Sequence, residues 1–275
     1  MTSALCAVSV IKMTNLRVLL QPAYVLHQHA YRDTSAILEL FTPEQGRVGV
    51  IAKGVRGSKP RWRGLLQNFQ PLLVSFNQRG ELGLLTEAEA QGGALRINPH
   101  LIASGFYLNE ILLRLLQRHD AQLELFGWYD IALRELAVLD VAEDAQVELE
   151  VILRRFEIRL LTALGYGLVL DHDVRSATPI QAGQEYIYFP EQGPVLFIDD
   201  SDPTKNTKNN EARIAIKISG HTLLALQKND LSAAPVRRQA KRLLRTMLGH
   251  YLGPKPLQSR QLLQQSARLA QRMTP

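Results

Sequence analysis

The sequence predicts an α+β chain, a small five-stranded barrel followed by a helical domain with a short β-hairpin insertion. Three observations carry this expectation. Five β-rich runs crowd into the first 90 residues and leave no room for a long helix. After Asn98-Pro99 the apolar residues change to helical spacing. Near residue 186 the pattern returns briefly to extended runs broken by Pro and Gly.

The strands are expected over Arg17–Ala30, Thr34–Phe41, Arg47–Lys53, Pro71–Asn77 and Glu81–Glu89. The turn Thr42-Pro43-Glu44-Gln45-Gly46 joins the second to the third, with Pro suited to an early turn position and Gly free to take positive φ. Five is the strand number of an OB-type barrel, which makes that fold the leading choice. Between the third and fourth strands, Lys53-Gly54-Val55-Arg56-Gly57-Ser58-Lys59-Pro60-Arg61-Trp62-Arg63 holds five cations and no acid. So polar and broken a segment is expected to be a mobile surface loop. Its Trp62 reads as an exposed platform for stacking bases, and Lys53, Arg56, Lys59, Arg61 and Arg63 as phosphate-tracking cations.

Helical periodicity follows from Leu101 to Leu116, over Leu123–Leu139 and over Val147–Leu164, where Gly165 and Gly167 close the third helix. Tyr186–Phe189 and Val195–Ile198 predict a hairpin, and Asp199–Glu211 a polar loop. Two more helices are expected over His221–Lys228 and Ala233–Leu252, then an amphipathic piece over Gln258–Met273. In the longer helix Ala240, Leu243, Leu244, Met247, Leu248 and Tyr251 form an apolar face. Arg238, Lys241, Arg242 and Arg245 fall at i, i+3, i+4 and i+7 beside it. Like charges at those spacings disfavour their own helix, which points to an anionic ligand.

Apolar residues make up 46% of the 275 and charged residues 21%, enough to bury a core and too little charge for disorder. Every apolar stretch is interrupted well before 18 residues, so no membrane helix is expected. Ala4–Ile11 lacks a basic flank and a small-residue cleavage pattern, so residues 1–15 read as an extension and not as a signal peptide. Cys6, the only cysteine, excludes an intramolecular disulfide and a thiolate metal site, and it fits a cytoplasmic protein. The net charge of +6 is strongly segregated. Residues 1–80 carry ten Lys/Arg against three Asp/Glu, residues 81–150 four against thirteen, and residues 201–275 fourteen against three. Two basic ends around an acidic middle suggest a polyanion held by two regions, with nucleic acid ahead of an anionic membrane.

No catalytic constellation emerges. Gly57-Ser58-Lys59 has the wrong order for a phosphate-binding loop. Glu87 and Glu89 share a strand face, and Asp199, Asp200 and Asp202 a loop, but neither group has an acidic partner motif for a catalytic metal. Asp171-His172-Asp173 reads as a polar turn, the histidines lack ligand spacing, and there is no Gly-x-Ser-x-Gly. Neither an enzyme nor a cofactor is expected.

The order of motifs from about Leu16 to Leu263 resembles the RecO family. The carrying stretches are Ala36–Thr42 with Gly46, Val50–Arg56, Leu66–Leu73, Tyr107–Leu112, Leu153–Glu157, Leu164–Gly167 and Lys255–Arg260. The resemblance implies an OB domain over 16–92 and a helical domain over 93–275. It further implies binding of single- and double-stranded DNA, strand annealing, and partnership with RecR and single-stranded-DNA-binding protein, so that RecA loads onto coated strands. Many relatives carry a four-cysteine zinc module after the Leu-Gly-Tyr stretch. Residues Asp171–Val195 contain no cysteine, so no zinc module is expected here. The family docks the acidic tail of single-stranded-DNA-binding protein on its helical domain. Arg154, Arg155 and Arg159, among Val151, Ile152, Phe156 and Leu160, supply the cations and apolar surface that such a tail needs. The same arginines could instead pair with the acidic middle, which would make the Arg238–Arg245 stripe the next candidate. An OB-fold RNA-binding protein and a metal-dependent nuclease are the competing readings.

Overall fold

The computed structural model describes residues 16–56, 61–139, 145–198, 215–259 and 262. The expected extension at 1–15, Lys59, the loop at 199–211 and most of the terminal amphipathic piece lie outside the described residues. Strands β1 (Leu16–Tyr31), β2 (Ser35–Thr42), β3 (Gly46–Ala52), β4 (Leu72–Arg79) and β5 (Leu82–Ala90) close an OB-like barrel in the order β1-β2-β3-β5-β4. Only the β3–β5 pair is parallel. Period-two alternation puts Ala36, Leu38, Leu40, Val48, Val50, Leu72, Val74 and Phe76 inside.

The 16-residue β1 serves two neighbours, pairing β4 with its first half and β2 with its second, and register shifts at Val18/Gln21 and Val25/His27 bend it between them. The second irregularity leaves the Leu26 carbonyl outside the ladder. Asn68 (3.1 Å) and Asn109 (3.0 Å) donate to it, so no buried acceptor is orphaned there.

Helices α1 (Ile102–Leu115), α2 (Leu123–Val138), α3 (Ala145–Ala163), α4 (Gly220–Gln227) and α5 (Ala234–Leu252) form the second part. Strands β6 (Glu185–Phe189), β7 (Gly193–Leu196) and β8 (Ile216–Ser219) form a sheet in the order β7-β6-β8. The hairpin is therefore two strands of a three-stranded sheet. Strand β8 escaped the sequence reading because only Ile216 and Ile218 alternate inward before Ser219 caps α4. One apolar core joins barrel and helices, with Tyr24, Leu26, Phe41 and Phe69 packed among side chains of α1, α2 and α3. Tyr24 meets Tyr129 edge-on at 5.2 Å. Two glycines permit this closeness. A Cβ at Gly105 would stand 2.9 Å from the Phe69 ring, and one at Gly46 (φ +60°) would strike the Asp120 carbonyl.

Candidate nucleic-acid interface

The backbone ties the basic loop after β3 to the barrel at both ends. Arg61 N donates to Gly54 O and Arg56 N to Thr34 O, each at 2.9 Å. The second bond brings the loop against the β1–β2 turn, so exposed Lys53 and Arg56 gather beside exposed Arg32, and Arg61 and Arg63 are exposed where the loop returns to the barrel.

Trp62 is buried where the sequence predicts exposure. It is 7% exposed, packed in the barrel core cluster with Leu66, and its Nε1 donates to Lys53 O at 3.1 Å. Arg61 lies 4.3 Å over the ring and donates to Thr86 O at 2.7 Å. The indole closes the barrel end, and the loop's start and finish are pinned around it. It is not an exposed base platform. Its apolar body and single N–H find a cavity and a carbonyl that the surrounding charges concealed in the sequence.

The stripe on α5 is exposed as expected, with Arg238, Lys241, Arg242 and Arg245 open to solvent while Leu243, Leu244, Met247 and Leu248 are buried. It lines a groove of about 720 Å³ whose far wall is Leu252, Pro254, Lys255 and Leu257. Gly253 (φ +71°) ends the helix and turns the chain back, and Arg114 fixes that turn by donating to the carbonyls of Leu252 and Lys255. Lys241 pairs with Glu150 at 3.0 Å. Among the described residues, Arg238, Arg242, Arg245 and Lys255 have no carboxylate at ion-pair distance. Lys255 was missed as a groove cation; the signal was the Gly253 helix stop just before it.

The three arginines of α3 do not act as a set. Arg154 is buried and bonded to Glu157 at 2.6 Å, and Glu157 also accepts from the Tyr107 hydroxyl. Contrary to the sequence expectation Arg154 offers no surface cation to a peptide tail, because three residues further along the same helix a buried carboxylate holds it. Arg155 pairs with Glu135 of α2 at 2.8 Å, and Arg159 lies 4.3 Å over the Trp128 ring. Among the described residues no group of three or more His, Cys, Asp or Glu is placed to hold a metal. Glu87 and Glu89 are exposed on β5.

The family model described as Recombination protein O N terminal matches residues 16–93, and Recombination protein O C terminal matches 97–261. The DNA repair protein RecO of Nitrosococcus oceani is 45% identical over 254 residues, covering 92% of this chain and 96% of that protein. That of Nitrosospira multiformis is 43% identical over 249 residues, covering 90% and 96%. The chain belongs to the RecO family of DNA repair proteins.

Two of the stretches that carry the RecO resemblance meet in space. Glu110 of α1 accepts from the backbone N–H groups of Gln258 and Ser259, both at 2.8 Å, and from the Ser259 hydroxyl at 2.6 Å. Its neighbour Asn109 reaches Leu26 of the barrel. One turn of α1 thus ties the barrel to the chain leaving α5.

In this RecO-family chain the cysteine-free region is organised by a carboxylate. Asp173 is 2% exposed and accepts from the backbone N–H groups of Arg175 (2.7 Å), Ser176 (2.8 Å) and Leu196. Burial alone would raise its pKa, but the donors of Ser176, Leu196 and Arg175 outweigh it and hold the carboxyl below the ordinary value. The polar turn read from the sequence is thus a buried brace between the 171–180 loop and β7. Asp173→Ala should destabilise the protein by at least about 1.5–3 kcal/mol, the worth of hydrogen bonds to a charged group, in urea unfolding. Because the folded pKa is lowered, this contribution is present above about pH 4 and fades as pH falls through the folded value. Chelator should leave the melting temperature unchanged.

No helix among the described residues is long and apolar enough to cross a membrane.

Proposed function

We propose that this chain is a cytoplasmic, non-catalytic recombination mediator. It binds and anneals single-stranded DNA, accepts duplex DNA, and works with RecR to load RecA onto strands coated by single-stranded-DNA-binding protein. The observation that carries the reading is the α5 groove, where Arg238, Arg242, Arg245 and Lys255 face solvent without carboxylate partners among the described residues. Such cations neutralise phosphates without reading bases. Lys53, Arg56 and Arg63 at the barrel end provide a second contact, with Lys59 between them in sequence. Arg61 contributes charge while its guanidinium braces Trp62. Two separate cationic regions suit annealing, which must hold two strands.

For the acidic tail of single-stranded-DNA-binding protein, Arg155 and Arg159 remain half-accessible, although Arg155 would have to leave Glu135. The groove is the better-furnished surface, since Leu252, Pro254 and Leu257 supply an apolar wall beside its cations. In calorimetric titration with a tail peptide, Arg242→Ala is expected to weaken binding more than Arg155→Ala; the reverse result assigns the tail to α3.

The purified protein should shift and anneal complementary mixed-sequence strands without any nucleotide cofactor. Equal affinity for RNA strands would favour an RNA-binding role. Magnesium-dependent strand cleavage would favour a nuclease.

A further inference from the structure

With Trp62 buried, the barrel needs another surface against which bases can rest, and we infer that this is the outward stripe His27–His29–Tyr31 of β1. The inference rests on the DNA-binding reading above and names the part of the barrel that holds the bases of a single strand.

The register fixes the stripe. His29 lies opposite Ile37 and Tyr31 opposite Ser35, while the intervening Ala30 lies opposite Ala36, which points into the barrel. The register therefore puts His27, His29 and Tyr31 on the outer face, opposite to Gln28 and Ala30, which are exposed at this end of β1 as well. His27 and His29 are exposed, with ring centroids 5.9 Å apart, and Tyr31 is half-buried. Beside them, Ile37 and its β3 partner Ile51 are only half-buried, so the face has an apolar floor. Three flat rings at alternate positions next to such a floor offer π-faces in sequence, and base stacking on π-faces is tolerant of base identity.

Charge selects a polyanionic strand as the occupant. At the outer end Arg32 stands 5.2 Å from the Tyr31 ring centroid, and Arg56 is bonded through its backbone to Thr34 of the same turn. At the inner end Arg118 reaches Glu39, the residue opposite His27. The Glu39 carboxylate is thus matched by Arg118, with Arg47 at 3.9 Å, and Asp33 in the turn is the acid left beside the cations of the outer end. Beyond Ala23, β1 has no partner strand on its other edge among the described residues, and Asn68 and Asn109 meet that edge at the Val25 and Leu26 carbonyls, before the stripe begins.

The test compares His29→Ala with Tyr31→Ala, singly and together, against Tyr31→Phe and against Lys53→Ala with Arg56→Ala. All are checked for an unchanged melting temperature, and affinity for a short mixed-sequence deoxyoligonucleotide is measured across a salt series. Loss of each ring that stacks on a base is expected to weaken binding by about 5- to 150-fold without changing the salt slope. Tyr31→Phe should bind as the parent does. The cation pair should instead make the salt slope shallower. If the folded double ring variant binds like the parent while the cation pair weakens binding, the stripe is overturned and the wider DNA-binding reading stands. A ring variant that loses binding to the matching ribo-oligonucleotide alone also overturns it. If the parent binds no single strand, both readings fall.

Discussion

Arg154→Ala should destabilise the protein by about 3–5 kcal/mol, measured by urea unfolding, because it removes the compensating guanidinium from a buried carboxylate and leaves it neutral donors such as the Tyr107 hydroxyl. Glu157 is 1% exposed and Arg154 7%, so water cannot replace the lost partner cheaply. Replacing both residues by apolar side chains of similar size should recover most of the loss, since a buried ion pair contributes little beyond an apolar pair of the same shape. A double-mutant cycle separates the two effects. If Arg154→Ala unfolds like the parent, the pair is not buried, and Arg154 is a surface cation open to a peptide tail.

The second large effect concerns the groove. Replacing Arg238, Lys241, Arg242 and Arg245 together by Ala should leave the fold intact, because all four project into solvent. Each cation that contacts a single-strand phosphate adds about 0.7 to the slope of log affinity against log salt. The three without a carboxylate partner, Arg238, Arg242 and Arg245, therefore make the parent lose about 18-fold more affinity than the variant over a fourfold rise in salt. Lys241→Ala alone should do least, because Glu150 already holds its ammonium. Filter binding over a salt series gives the comparison directly. Parallel slopes for parent and variant would show that no strand runs along α5.

The barrel was legible because each strand alternates over a buried interior: Ala36, Leu38 and Leu40 are fully enclosed, while Ile37 between them keeps some exposure. Helices α1, α2 and α3 were legible from apolar spacing for the same reason. Trp62 was not, since only its three-dimensional surroundings show that the barrel end is open to an indole and that Lys53 O awaits its N–H. Arg154 carried a readable hint in Glu157 three residues on, but position on a helix does not reveal burial. Asp173 could be seen as a carboxylate near a turn, whereas its grip on Leu196 is a contact across 23 residues. The groove was half legible: the α5 stripe follows from spacing, but its far wall depends on the reversal at Gly253 and on Arg114 holding it.

The salt dependence of single-strand binding by the unaltered protein tests the central claim most directly. Affinity for several unrelated sequences should fall together as salt rises, with a slope of about −0.7 for every phosphate neutralised and with no nucleotide or metal added. A flat response to salt, or tight binding confined to one base sequence, would contradict the account.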